Sequence, residues 1–174
     1  MMKKLTTKNL VIAALFAALA CVMTMSVRIP IPGTQGYIHP GDAVVILCGI
    51  FLDPVVAFFA AGIGSALADL LGGYFIYVPI TFVIKGLVAL CAGLLYRSHA
   101  CASMNRHLVV ALGGVVDILI VAGGYCFCEI FLYGAPAAIS SVPANCVQGV
   151  SGLIIASVLY PVLDAALKQV QTAS

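Results

Sequence analysis

The run Pro79-Ile-Thr-Phe-Val-Ile-Lys85-Gly-Leu-Val-Ala-Leu-Cys-Ala-Gly-Leu-Leu-Tyr96 decides the fold. Apart from Lys85 it is almost wholly apolar, and as a helix rising about 1.5 Å per residue it nearly spans a ~30 Å hydrocarbon core. A cation at membrane depth costs at least about 2.5–3.5 kcal/mol. Such a residue faces the interior of a helix bundle and has a partner or a ligand, so Lys85 marks a functional site.

The rest of the chain agrees with a membrane setting. Of 174 residues, 63% are apolar and 8% charged, whereas soluble domains carry roughly 25% charged residues. The length accommodates about six helices of ~20 residues with short connections. No Gly precedes Lys-Ser or Lys-Thr, so the chain has no nucleotide-binding P-loop. Active transport would draw its energy from a partner or an ion gradient. The seven cysteines lie mostly in apolar segments, where Cys acts as a small hydrophobe. There is no Cys-x-x-Cys, and neither a metal, a cofactor nor a nucleic-acid partner is expected.

Pattern and punctuation predict six helices: Thr7 to Val27, Asp42 to Leu52, Pro54 to Leu71, Pro79 to Tyr96, His107 to Tyr133 and Ala138 to Lys168. Met1-Met-Lys-Lys-Leu resembles a signal-peptide start, but the next apolar run lacks a clear cleavage site and reads as a retained first helix. The stretch 28–40 holds three Pro and two Gly and reads as a loop. The second helix is short, rising only about 16 Å. Asp53-Pro54 reads as an N-cap followed by Pro at the first helical position. Six spans place both termini on one side. With that side cytoplasmic, Lys3, Lys4, Lys8, Arg97, Arg106 and Lys168 lie inside and Arg28 outside, as the positive-inside rule requires. The expected architecture is an all-α, single-domain membrane protein with both termini in the cytoplasm.

On this topology the polar groups share one depth. Asp42, Asp69, Lys85, Glu129, Asn145 and Gln148 fall in the outer half, with Tyr74, Tyr77 and Tyr125, beneath a loop carrying Tyr37 and His39. Convergent polar groups in an apolar wall are what a small-molecule pocket needs. The inner half is apolar except for Asp117, which argues against a continuous aqueous pore. Structural roles stay open at each position: Asp42 as an N-cap, Lys85 paired with Asp69 or Glu129, the tyrosines as interfacial aromatics, and Asn145 and Gln148 as interhelical hydrogen bonds. On the first helix Ala13/Ala17 and Ala14/Ala18 form small-xxx-small pairs that let another helix approach. A Ser65-based intramembrane hydrolase would need a nearby His, and His39, His99 and His107 lie elsewhere. A secondary transporter would show internal repeats, and none is visible.

Three motifs, Gly36-Tyr-Ile-His39-Pro-Gly-Asp42, Gly62-Ile-Gly64-Ser-Ala-Leu-Ala-Asp69-Leu-Leu-Gly-Gly-Tyr74 and Thr81-Phe-Val-Ile-Lys85-Gly86, resemble the substrate-binding S components of energy-coupling factor (ECF) vitamin transporters, of the riboflavin-type and pyridoxine-type group. The resemblance implies a high-affinity vitamin site near the outer face of a prokaryotic cell membrane, covered by the loop between the first two helices. It also implies that an Ala-x-x-x-Ala face, here Ala13/Ala17 with Ala14/Ala18 adjacent, docks on a transmembrane T subunit bearing two ATPases. Pro40 stands where relatives often have an apolar residue. With three carboxylates and one cation, the candidate pocket suits a small hydroxylated heterocycle with a basic ring nitrogen, such as a B6 vitamer or hydroxymethylpyrimidine. Riboflavin is the runner-up.

Overall fold

The computed structural model describes residues 6–172; Lys3 and Lys4 of the charge-bias argument lie outside them. Six α-helices account for most of the chain: α1 (Thr7–Ser26), α2 (Asp42–Phe51), α3 (Pro54–Gly72), α4 (Tyr77–Arg97), α5 (Arg106–Tyr133) and α6 (Ala135–Thr172). All but α2 are long and apolar enough to cross a membrane. The helix ends match the sequence signals. Thr6 caps α1 and Asp53 caps α3, accepting from the Asn9 and Val55 amides, with Pro54 opening α3. Gly73, at φ 83°, closes α3 in the left-handed conformation that favours glycine, so the Tyr74 amide turns back to the Asp69 carbonyl at 2.9 Å.

Helix α2 is the axis of the bundle. It contacts each of the other five helices, and every residue from Asp42 to Ile50 is buried. That explains why it is apolar all round rather than on one stripe. Around it the helices run α1, α3, α4, α5, α6, and a broad apolar groove lined by Leu15, Leu19, Leu47, Leu159 and Leu163 separates α6 from α1.

The level of α2 sets the site. Its first residue meets Lys85, about 12 Å down α4 from Tyr77. Its last turn ends beside Arg97, whose guanidinium donates to the carbonyls of Gly49 and Ile50 at 3.0 Å each. Arg97 thereby satisfies orphan carbonyls at a buried helix end. So α2 fills only one half of the bundle, and the segment 27–41 descends into the other half. The sequence placed Asp42 at the outer end of a helix; the structure places it mid-bundle. Irregular backbone at that depth is tolerated because protein surrounds it.

The descending segment is not a plain loop. Ile29–Pro30 (β1) pairs antiparallel with Tyr37–Ile38 (β2), Ile29 opposite Ile38 and Pro30 opposite Tyr37. The turn is closed by Ile31 N–H to the Gly36 carbonyl at 3.0 Å.

Candidate ligand-binding site

Polar side chains enter the half of the bundle left by α2 on stripes spaced one helical turn apart. Tyr77, Thr81 and Lys85 form one on α4. Tyr125 and Glu129 lie on another on α5. Ser141, Asn145 and Gln148 supply a third from α6, all buried. Positions three or four apart share a helix face, so each helix aims its polar groups at one place.

Beneath the hairpin they enclose a cavity of about 20 Å³, lined by Tyr37, His39, Asp69, Tyr77, Thr81, Tyr125, Glu129 and Asn145, with Ile31 and Gly36 from the hairpin. That is room for about one water. Both of its acids accept hydrogen bonds. Tyr37 Oη donates to Asp69 Oδ1 at 2.6 Å. Tyr77 Oη donates to Glu129 Oε1 at 2.9 Å, and Ser141 Oγ donates to Glu129 Oε2. Thr81 Oγ1 and Tyr125 Oη share a 2.9 Å hydrogen bond.

Lys85 does not line this cavity, and its partner is neither Asp69 nor Glu129. Its ammonium donates to Asp42 Oδ1, with both side chains fully buried, and Gln148 Nε2 donates to Asp42 Oδ2 at 2.8 Å. The reason for the correction is the level of α2, which delivers Asp42 to the depth of Lys85. Asp42 makes no N-cap bond; its carboxylate is spent on the ion pair. The Lys85 ammonium also lies 5.6 Å from the centre of the Tyr125 ring, which lines the cavity. Tyr74 packs on Tyr37 from outside, ring centres 4.5 Å apart.

The hairpin is fastened at both ends. Arg28 donates to the Ala68 carbonyl at 3.3 Å and lies over the Tyr37 and Tyr74 rings. At the other end the His39 amide donates to Gln148 Oε1 at 3.0 Å. His39 Nδ1 accepts from the Gly41 amide at 3.1 Å, which requires a neutral imidazole. Burial holds its pKa down to about 3. Gly41 is confined: a Cβ there would strike Thr24 Oγ1 and His39.

Of the residues predicted from sequence, Tyr37, His39, Asp69, Tyr77, Glu129 and Asn145 meet at the cavity; Asp42, Lys85 and Gln148 form the network below; Tyr74 supports the hairpin from outside. Tyr125, which the sequence put at this depth, lines the cavity as well, whereas Thr81 in its lining and Ser141 on Glu129 were missed. The turn spacing of Thr81 from Tyr77 and Lys85 was the readable signal. The four alanines of α1 divide. Ala13 is buried and Ala17 partly so; a Cβ on Gly64 of α3 would collide with the Ala17 carbonyl. Ala14 and Ala18 face outward.

A bundle of long apolar helices enclosing a polar cavity defines a multi-pass membrane protein with a buried polar interior. The family model for the ECF-type riboflavin transporter S component matches residues 4–166, and the chain belongs to that family of vitamin-transport subunits. It is 41% identical over 135 residues to a Pyrococcus woesei protein described as an uncharacterized protein in a gap 3′ region, covering 77% of this chain and 86% of that one. It is 28% identical over 158 residues to the thiamine precursor transporter HmpT of Lactococcus lactis subsp. cremoris (strain MG1363), covering 90% and 88%. The family is a transporter component, not an enzyme.

Proposed function

We propose that this chain captures a small water-soluble vitamin precursor from outside the cell and presents it for ATP-driven uptake by a T subunit and two ATPase subunits. On this reading the hairpin end faces outward, both termini are cytoplasmic, α2 completes six membrane segments with the hairpin above it, and the membrane is that of a prokaryotic cell. The arrangement of cations supports an outward hairpin end: Arg97 and Arg106 sit at the opposite end, at the termini of α4 and α5, as the positive-inside rule prefers.

The ligand is hydroxymethylpyrimidine or a B6 vitamer, with riboflavin the alternative. The observation that carries this is the charge of the cavity. Two carboxylates, Asp69 and Glu129, line it, and its other polar groups are hydroxyls, an imidazole and an amide. Lys85 is neutralised below by Asp42. A carboxylate pairs well with an amino group and an adjacent protonated ring nitrogen, whereas an anionic ligand would meet like charge. The likeness to HmpT points the same way. The hairpin acts as the lid, since a cavity of about 20 Å³ admits no vitamin until Tyr37 and His39 move.

For docking, the outward pair Ala14/Ala18 is the available small-residue face, since Ala13 is buried in the core and Ala17 lies against Gly64 of α3. Calorimetric titration of the purified chain with hydroxymethylpyrimidine, pyridoxine, riboflavin and folate tests the ligand. Uptake that persists without the ATPase subunits would instead favour a stand-alone transporter.

A further inference from the structure

One buried acid has no place in the site so far. Asp117 lies on α5 about two turns from Tyr125 and is fully buried, and neither of its carboxylate oxygens has a hydrogen-bond partner. Buried polar groups are nearly always bonded, and an orphan needs a reason. Its Oδ2 faces α6: a Cβ on Gly149 would stand 3.2 Å away. The neighbouring Gln148 holds Asp42, and Gly152 packs against the Asp42 side chain. The same turn of α6 therefore lies against both Asp117 and the Asp42 that holds Lys85.

The lid and the Lys85 pair are one mechanical unit. Asp42 begins α2 three residues after His39, and Gln148 grips both, accepting from the His39 amide and donating to Asp42. Lid movement wide enough to admit a vitamin therefore pulls on Asp42. A buried pair broken on one side leaves an uncompensated charge, at a cost of several kcal/mol. With Asp42 as its one acceptor, Lys85 would lock the lid shut.

We infer that Asp117 is a second counter-ion for Lys85, a positioning residue that takes the ammonium when lid opening draws Asp42 away. In the closed form Asp42 holds Lys85 and Asp117 stands by as the neutral acid, the form an unpartnered buried carboxyl takes. In the open form Lys85 turns to Asp117, whose proton passes to the water that the open lid admits, so the ammonium again faces a carboxylate and no unpaired charge is left in the apolar interior. The inference rests on the lid assignment above.

Two measurements on the purified full chain test it without any ligand, so its failure is distinguishable from a wrong vitamin. The first is a double-mutant cycle on thermal stability with Asp42→Asn and Asp117→Asn. Each single variant keeps one acceptor and stays folded, whereas the double variant loses far more than the sum of the singles. Additive effects would overturn the proposal. The second is hydrogen exchange of residues 29–41. Asp117→Asn should slow lid exchange about tenfold, and Asp117→Glu should restore it. Exchange at the wild-type rate in Asp117→Asn would show a carboxyl with only a packing role and contradict the inference.

Discussion

Lys85 of α4 donates to Asp42, the first residue of α2, with both side chains wholly shielded from solvent. This pair ties α4 to the start of α2, the axis of the bundle, three residues after His39. Removing one member leaves the other charge buried, so Lys85→Ala should destabilise the protein by about 3–5 kcal/mol and weaken ligand binding. Lys85→Met with Asp42→Asn removes both charges and should recover most of that stability. Thermal unfolding in detergent checks both; a Lys85→Ala protein as stable as wild type would exclude the pair as a structural tie.

His39 should make lid closure pH-dependent. In the closed form its imidazole is neutral, accepting from Gly41, with the pKa pushed down to about 3 by burial. Released, it titrates near ~6.5. The closed form then binds fewer protons, so closure is fully favoured above about pH 6.5 and weakens as pH falls towards about 3. The slope approaches about tenfold per pH unit. Ligand affinity measured from pH 7.5 down to 5 should drop more steeply for wild type than for His39→Gln, since the acids of the cavity titrate in both. Superimposable profiles would remove His39 from the lid.

Tyr37 of the hairpin donates to Asp69 through a 2.6 Å hydrogen bond, which on the proposed reading holds the lid closed. Burial and the neighbouring carboxylate keep its pKa above the usual phenol range, so it remains a donor. Tyr37→Phe should cost about 1.5–3 kcal/mol of closure, the worth of a hydrogen bond to a charged group. The expected readout is a faster ligand off-rate with the on-rate little changed, followed by stopped-flow tyrosine fluorescence, for which the chain offers seven Tyr and no Trp.

The alanines of α1 predict a clean split. Ala13 is buried in the bundle core and Ala14 is exposed. Ala14→Leu or Ala18→Leu should leave ligand binding intact but abolish co-purification with the T subunit and uptake. Ala13→Leu overpacks the core and should cost about 1–3 kcal/mol of stability. Normal uptake by Ala14→Leu together with Ala18→Leu would place the docking face elsewhere.

Much of this was legible in the sequence, for reasons specific residues make plain. Apolar runs between Gly, Pro and capping residues gave the helices to within a few positions, because Thr6, Asp53 and Gly73 perform the capping their residue types suggest. Asp69, Glu129 and Asn145 could be grouped because depth along a helix follows from counting residues. The partner of Lys85 could not. Counting had assumed that α2 begins at the membrane surface, and nothing local in Gly41-Asp42-Ala43 reveals that the chain first descends. The hairpin was hidden for a related reason: two-residue strands, one of them ending in Pro30 with Pro32 close behind, carry no period, and Pro argues against a strand. The role of Asp117 was hidden because it depends on what α6 brings near it.

The most direct test of the central claim, a carboxylate-lined and cation-poor vitamin cavity, is calorimetric titration of the purified chain with hydroxymethylpyrimidine, pyridoxine, riboflavin and folate. The account predicts submicromolar binding, a Kd below roughly 1 μM, for hydroxymethylpyrimidine or a B6 vitamer, weakened at least about tenfold by Asp69→Asn or Glu129→Gln. Tight binding of folate alone, unaffected by those substitutions, would contradict it.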